Sequence, residues 1–277
     1  MEATKLFEGV SRADVYAKYR PTWPAKVYER IMSFLSTRRS QPYQLAVDVG
    51  CGSGQSTFSL APWFEWVIGF DISEAQIGEA IKANSVKHVE FKVSAAEKLP
   101  LEDDSVDLLT CGLAAHWLEF DAFCSEVQRV LKPRGCLAIY GHGEPWLDHP
   151  DPDVKQKLTI AFKEFDVDSI GPFWHEKRQI ACDLYRDFSL PFEDSIREDN
   201  TEFRINMTLT HYLGFVRSWS ACQIALEKDP SNQSFLDDYQ RKILAAYGKP
   251  EVSTDDVVLD VVFPLVILLG SKADSKQ

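Results

Sequence analysis

With 277 residues, 45% of them hydrophobic, the chain is long enough to bury a large core without disulfides or metals. Its net charge of −12, with no dense stripe of lysine and arginine, argues against a nucleic-acid backbone as partner. Its six cysteines contain no C-x-x-C pair, which removes the common zinc and secreted disulfide frameworks.

In chain order, the first residues lack the apolar core of a signal peptide, and a cytoplasmic location is expected. A helix ending before Pro21 puts Tyr16, Tyr19 and Arg20 within one turn of each other, with Trp23 just beyond. Residues 45–54 read Leu-Ala-Val-Asp-Val-Gly-Cys-Gly-Ser-Gly: a buried strand, a tight turn and then a helix start. In an open α/β sheet such a turn, at the carboxyl end of a strand, is where nucleotide-like ligands bind. The spacing is not that of a dinucleotide fingerprint, because Gln55 stands where the third glycine is needed, and no Gly-Lys-Ser/Thr follows. The turn has no lysine or arginine and is preceded by Asp48, which favours a ligand with positive charge over a pyrophosphate.

A second apolar run, residues 66–71, ends in Asp71, a carboxylate placed to accept hydrogen bonds from ribose hydroxyls. Ile72 follows, then Ser73 as a helix N-cap with Gln76 at the third position of a capping box. A third strand over 89–93 leads into Ser94, Ala95, Ala96 and Glu97. A fourth, over 105–111, carries His116 and Trp117 beyond its carboxyl end. After a helix at about 121–131, Pro133 and Gly135 turn the chain into a fifth strand that reaches Tyr140, with His142 just past it. Strands alternating with helices across 45–140 imply βαβ units and a doubly wound, mostly parallel sheet. Helical pattern continues at 152–166, a strand or extended pair follows at 192–205, and helices at about 208–226 and 232–247. Residues 257–270 are almost continuously apolar, but too short for a membrane span and interrupted by Asp260 and Pro264, so they read as the last strand. Residues 271–277 read as a frayed tail.

This series resembles the class I S-adenosylmethionine-dependent methyltransferases. The shared features are the acid-x-Gly-x-Gly-x-Gly turn, the acid closing the second strand, Ala-Glu-x-Leu-Pro after the third, and Arg-Val-Leu-Lys-Pro-x-Gly before the fifth. The stretch Met207 to Ser220 resembles a helix of the trans-aconitate methyltransferase-like subfamily, which includes enzymes acting on small carboxylic acids, and the likeness extends to the Tyr19-Arg20-Pro21 segment. The resemblance implies one domain with a Rossmann-like seven-stranded sheet: an N-terminal helical segment (1–40), a cofactor core (43–145), a substrate cap (151–250) and a last strand (255–270). It implies S-adenosylmethionine held by Tyr19, Asp48, Gly50, Gly52, Gly54, Asp71, Ile72, Ala95, Ala96 and Glu97. Ala95 departs from the pattern, since many relatives carry there an acid that contacts the adenine amino group; the backbone of Ala96 and the carboxylate of Glu97 serve instead.

Arg20 and Arg217 are the candidate anchors of an anionic acceptor, with Trp23, Trp117, Tyr140 and Tyr212 as pocket walls, Trp174 as a further wall, and Trp219 as core. The expected reaction is methyl transfer to a carboxylate oxygen, which is ionised at neutral pH and needs no base. A hydroxyl or amine acceptor needs one, and His116 and His142 are the candidates. The alternatives are N-, S- or hydroxyl methylation of a small molecule, or a non-catalytic cofactor-binding partner protein. A monomer is expected, without metal, membrane or nucleic acid.

Overall fold

The computed structural model describes residues 19–274, so Tyr16 and most of the expected N-terminal helix lie outside the described residues. Strands β1 (Tyr43–Val49), β2 (Phe64–Asp71), β3 (Val89–Val93), β4 (Val106–Gly112) and β5 (Leu131–His142) are mutually parallel in the order β3-β2-β1-β4-β5. Three more strands complete the sheet, β6 (Trp146–Asp148), β7 (Asp194–Thr208) and β8 (Val258–Ser271). β8 runs antiparallel to β7 along its whole length; on its other side it meets β6 with its first half and β5 with its second. Hydrogen-bonded on both sides, β8 is buried almost throughout, which accounts for its near-continuous apolar run. The seven long strands match the expectation, and the short β6 is an addition with no apolar run to announce it.

Alternate residues of the parallel strands feed two cores. Ala46, Leu108 and Ala138 face one side, Val47, Leu109 and Leu137 the other. Helix α1 (Ala25–Ser36) covers the first face with Val27, Ile31 and Leu35. Helices α2 (Gln55–Leu60), α3 (Glu74–Ala83) and α4 (Phe120–Val130) form the crossovers, and α4 buries Phe123 and Val127 on the second face. The turn into β5 places its positive φ of 62° at Arg134, not at Gly135. Gly135 is needed for a different reason: a Cβ there would lie 2.8 Å from the Lys132 carbonyl oxygen and 2.9 Å from that of Val106. Backbone bonds between Arg134, Gly135 and Lys272 also pin the start of the expected tail.

The cap comprises α5 (Pro152–Lys163), a π-helical turn over Glu164–Ser169, α6 (Arg178–Cys182), α7 (Leu209–Arg217), α8 (Ser220–Lys228) and α9 (Gln233–Ala246). The helix expected over 208–226 is two helices. Ser218 turns its hydroxyl back to the Phe215 carbonyl at 2.5 Å, and Trp219 is extended, so the chain changes direction between α7 and α8. Among the described residues, no helix is long and apolar enough to cross a membrane.

Candidate active site

The strand order reverses between β1 and β4, so the loops after these strands part and leave a crevice at the carboxyl edge. The first of these loops holds Gly50 at φ 62° and Gly52 at φ 54°, and a Cβ on Gly50 would stand 2.4 Å from that of Ala114 in the other. This tight cradle lets the Gly52 N–H reach Asp71 Oδ2 at 2.8 Å, while the Ser73 N–H donates to Oδ1 at 2.9 Å. Each carboxylate oxygen retains acceptor capacity toward the crevice. Burial raises the Asp71 pKa, and the backbone donors at Ser73 and Gly52 oppose that rise.

Three chambers occupy the crevice. The first is lined by Gly52, Asp71, Ile72, Ala95, Ala96 and Glu97 and reaches Trp117. Gln76 also lines it, is 3% exposed, and has no hydrogen-bond partner for its Oε1 among the described residues. The capping box explains why. Ser73 Oγ accepts the Gln76 N–H at 3.3 Å, but the reciprocal Ser73 N–H is taken by Asp71, so the Gln76 carbonyl is left to the cavity.

The second chamber lies over Asp48, Gly50, Gln55 and Ser56, beneath Arg20, Trp23 and His142. Asp48 is buried and accepts from Thr110 Oγ1 at 2.7 Å and Thr57 Oγ1 at 2.8 Å. Burial raises its pKa to about 6 against those two bonds, so it carries negative charge at neutral pH.

The third chamber is walled by Trp117, Trp174 and Trp219 and contains His116, His142 and Arg178. His116 Nδ1 lies 3.0 Å from Tyr185 Oη, and burial, aided by His142, Lys177 and Arg20, pulls its pKa down to about 3. His142 Nδ1 lies 2.8 Å from the Gly143 carbonyl; burial lowers its pKa to about 4 while that bond opposes the shift. Both rings are neutral at physiological pH. Arg178 Nη2 donates to Glu144 at 2.8 Å and to Asp166 at 3.0 and 3.1 Å, with its guanidinium 4.0 Å over Trp174. Burial, then the neighbouring Asp166, raises the Glu144 pKa. Arg20, Leu113 and His142 line both the second and third chambers, so the two adjoin across these side chains.

Several anticipated residues stand elsewhere. Tyr19 packs against Gly214 and His211 of α7 and does not line a chamber. Gly54, at φ 88°, begins α2 and backs onto Phe91, shaping the turn from behind. Tyr140 is fully buried, with its ring against Gly112 and edge-on to Trp23, and so supports a wall from outside the cavity. Tyr212 is fully buried and bonds Tyr239 through the two hydroxyls at 2.9 Å. Arg217 is exposed and hydrogen-bonds the Gln233 side chain, because Tyr212, Phe215 and Val216 take the inward face of α7 and turn position 217 outward. Trp219, read from sequence as core, is both 5% exposed and a wall of the third chamber. Gln76, Arg178 and Tyr185 were absent from the sequence set. Only Gln76 carried a signal there, as the capping-box residue beside Asp71.

A methyltransferase-domain family model matches residues 47–139, from β1 into β5. A Dictyostelium discoideum chain named as a methyltransferase is 31% identical over 267 residues, covering 96% of this chain and 94% of its own length. The chain belongs to the S-adenosylmethionine-dependent methyltransferases. The methyltransferase is also 26% identical to a Saccharomyces cerevisiae chain named as S-adenosylmethionine-dependent, over 80% of this chain and 83% of that one. A solved structure from Anaeromyxobacter dehalogenans, named as a type II methyltransferase, matches its fold with a TM-score of 0.72 and 26% identity, covering 93% of this chain and all of that one. Its cofactor is S-adenosylmethionine, and the crevice fits that molecule. The Gly50 cradle, which a Cβ would fill, the open lone pairs of Asp71 and the unpartnered Gln76 Oε1 suit a nucleoside, and the Asp48 charge suits an ammonium.

Proposed function

We propose that the methyltransferase methylates an oxygen of a small organic acid bound in the third chamber. The observation that carries this is the shared boundary: Arg20, Leu113 and His142 line both the second and third chambers, so an acceptor in the third lies next to the donor side. Asp71, Ile72, Gln76 and Glu97 hold the adenosine end of S-adenosylmethionine, and Asp48 with the glycine turn holds its amino-acid end. When bound, the cofactor supplies an electrophilic methyl group on a sulfonium sulfur.

Arg20 pairs with the acceptor's carboxylate at the boundary, where a guanidinium offers a planar fork that matches a carboxylate. Trp117, Trp174 and Trp219 hold its apolar body and keep water out. Because a carboxylate is already ionised, catalysis consists mainly of holding it in a near-attack position, a contribution that reaches about 7–11 kcal/mol in well-oriented systems. The likeness of the Tyr19-Arg20-Pro21 segment to trans-aconitate methyltransferase-like enzymes supports the same reading.

One observation favours a second reading. The Gly143 carbonyl holds the proton on His142 Nδ1, which leaves Nε2 as an acceptor that could take the proton of a hydroxyl substrate. A screen of carboxylic acids, amines, thiols and phenols with labelled cofactor separates the two. Methyl esters formed by wild type, with Arg20→Ala raising the acceptor KM, support the first. Transfer only to amines or phenols, abolished in His142→Ala, overturns it.

A further inference from the structure

The two histidines of the third chamber present opposite hydrogen-bonding faces. His142 Nδ1 lies 2.8 Å from a carbonyl oxygen, which only accepts, so the proton of the neutral ring sits on Nδ1 and Nε2 keeps its lone pair. His116 is the reverse. Its Nδ1 meets the hydroxyl of Tyr185, a fully buried residue whose side chain makes this one hydrogen bond among the described residues. If Nδ1 donated, the hydroxyl hydrogen of Tyr185 would be stranded in the core without an acceptor. Tyr185 O–H therefore donates to Nδ1, and the proton of neutral His116 sits on Nε2. Among the described residues neither Nε2 has a hydrogen-bond partner, and both rings line the chamber.

Tyr185 is held firmly in this role. Its ring lies against Gly141 of β5, where a Cβ would stand 2.5 Å from Cε2, and its backbone is left-handed at φ 52°, as is Leu184 at 55°. Arg197 fixes the same turn by donating to the Leu184 and Tyr185 carbonyls at 2.5 and 3.0 Å.

We infer that the acceptor is a hydroxy acid: His116 Nε2–H donates to an acid oxygen, His142 Nε2 accepts from the hydroxyl, and Tyr185 is a positioning residue that fixes the His116 tautomer. This rests on the organic-acid reading above. A plain carboxylate satisfies His116 and Arg20 but leaves the His142 lone pair facing an oxygen or an unmatched water. A hydroxyl on a neighbouring carbon fills that place.

Two measurements on the full chain test the inference. Long-range ¹⁵N imidazole NMR, with S-adenosylhomocysteine added, is expected to show His116 protonated on Nε2 and His142 on Nδ1. In Tyr185→Phe, which keeps the ring against Gly141, the His116 pattern shifts toward the Nδ1 tautomer and that of His142 stays. The same tautomer at both residues in wild type overturns the inference. The second measurement compares kcat/KM for the pairs lactate and propionate, malate and succinate, and mandelate and phenylacetate, together with their 2-methoxy analogues. The hydroxy member is expected to win by about tenfold, the value of one hydrogen bond at a matched site. In Tyr185→Phe the KM of hydroxy acids rises with kcat retained. Equal use of paired acids overturns the hydroxy-acid assignment alone. Transfer to no acid, with the opposed tautomers in place, overturns the organic-acid reading and this inference with it.

Discussion

Replacing Gly214 with alanine separates the docking of the N-terminal segment from the stability of the cap. Gly214 lies inside α7, and a Cβ there would stand 2.4 Å from Tyr19 Cδ1 and Cε1 and 2.6 Å from Cγ. Carbon atoms rest at about 3.5–4.0 Å, so the ring must retreat by roughly 1.2 Å or leave. The helix itself gains, because alanine is about 1 kcal/mol better than glycine in a helix interior. Lost packing of the half-buried Tyr19 ring against α7 costs about 1–2 kcal/mol and nearly cancels that gain.

Arg20, Pro21 and Trp23 follow Tyr19 directly and line the second chamber, so the displacement is passed to the cofactor site. The expected result is a thermal midpoint within about 3 °C of wild type. S-adenosylhomocysteine affinity by calorimetry should fall about tenfold, or 1.4 kcal/mol. Tyr19→Ala should reproduce the affinity loss, and the double variant should lose little more, since both act through one contact. Wild-type affinity in Gly214→Ala, or full additivity of the two substitutions, would show that docking of Tyr19 does not position Arg20 and Trp23.

Asp71→Asn turns one acceptor oxygen into a donor against the Gly52 or Ser73 N–H; two charge-assisted bonds are lost or weakened, and S-adenosylhomocysteine affinity should drop by about 100-fold, with retention within tenfold refuting the role. Arg217→Ala should leave stability within about 0.5 kcal/mol and acceptor KM unchanged, because the side chain is exposed and tied to Gln233, whereas Arg20→Ala raises that KM; a raised KM in Arg217→Ala would return it to the site. Stability should fall on acidification below pH 6.5. The unfolded chain takes up protons on His116 and His142 near the ordinary imidazole value of 6.5, while the folded pKa values are lowered to about 3 and 4. Asp48, raised from 3.8 to about 6, works in the opposite sense, since the folded state binds that proton first. Between pH 6 and 4 the three leave a net of one proton favouring the unfolded chain, a slope of about 1.4 kcal/mol per pH unit. Denaturant titrations over that range should show His142→Gln flattening the slope by about this amount, and an unchanged slope would refute the assignment.

The parallel half of the fold is legible in the sequence because buried parallel strands are apolar on both faces and separated by amphipathic crossovers. Residues 45–49 and 106–111 therefore announce themselves without tertiary information. β6 does not, since three residues following a loop contain no period; it exists because the first half of β8 offers an open edge there. The break between α7 and α8 is also hidden, because Ser218 and Trp219 fit a helical pattern and only the local bond to Phe215 redirects the chain.

The first two chambers are legible in the sequence because Asp48, Gly50, Gly52, Asp71 and Ile72 come from two short loops whose spacing is fixed by β1 and β2. The third chamber takes His116 and Trp117 from the loop after β4 and His142 from the end of β5, which the strand pattern places, but also the loop after β5, the segment 174–182 and the α7–α8 junction, pieces with no common period. A likeness of sequence carries a residue type to an aligned position, yet it says nothing about whether a charge is already spent. Arg217 and Arg178 illustrate both sides of this. Arg217 has the expected chemistry on the wrong face of its helix. Arg178 stands in the chamber, but Glu144 and Asp166 already share its Nη2, and Trp174 both stacks on it and bonds Asp166 at 3.0 Å. Its work is therefore to tie the loop after β5, the π-helical turn and Trp174 into one wall.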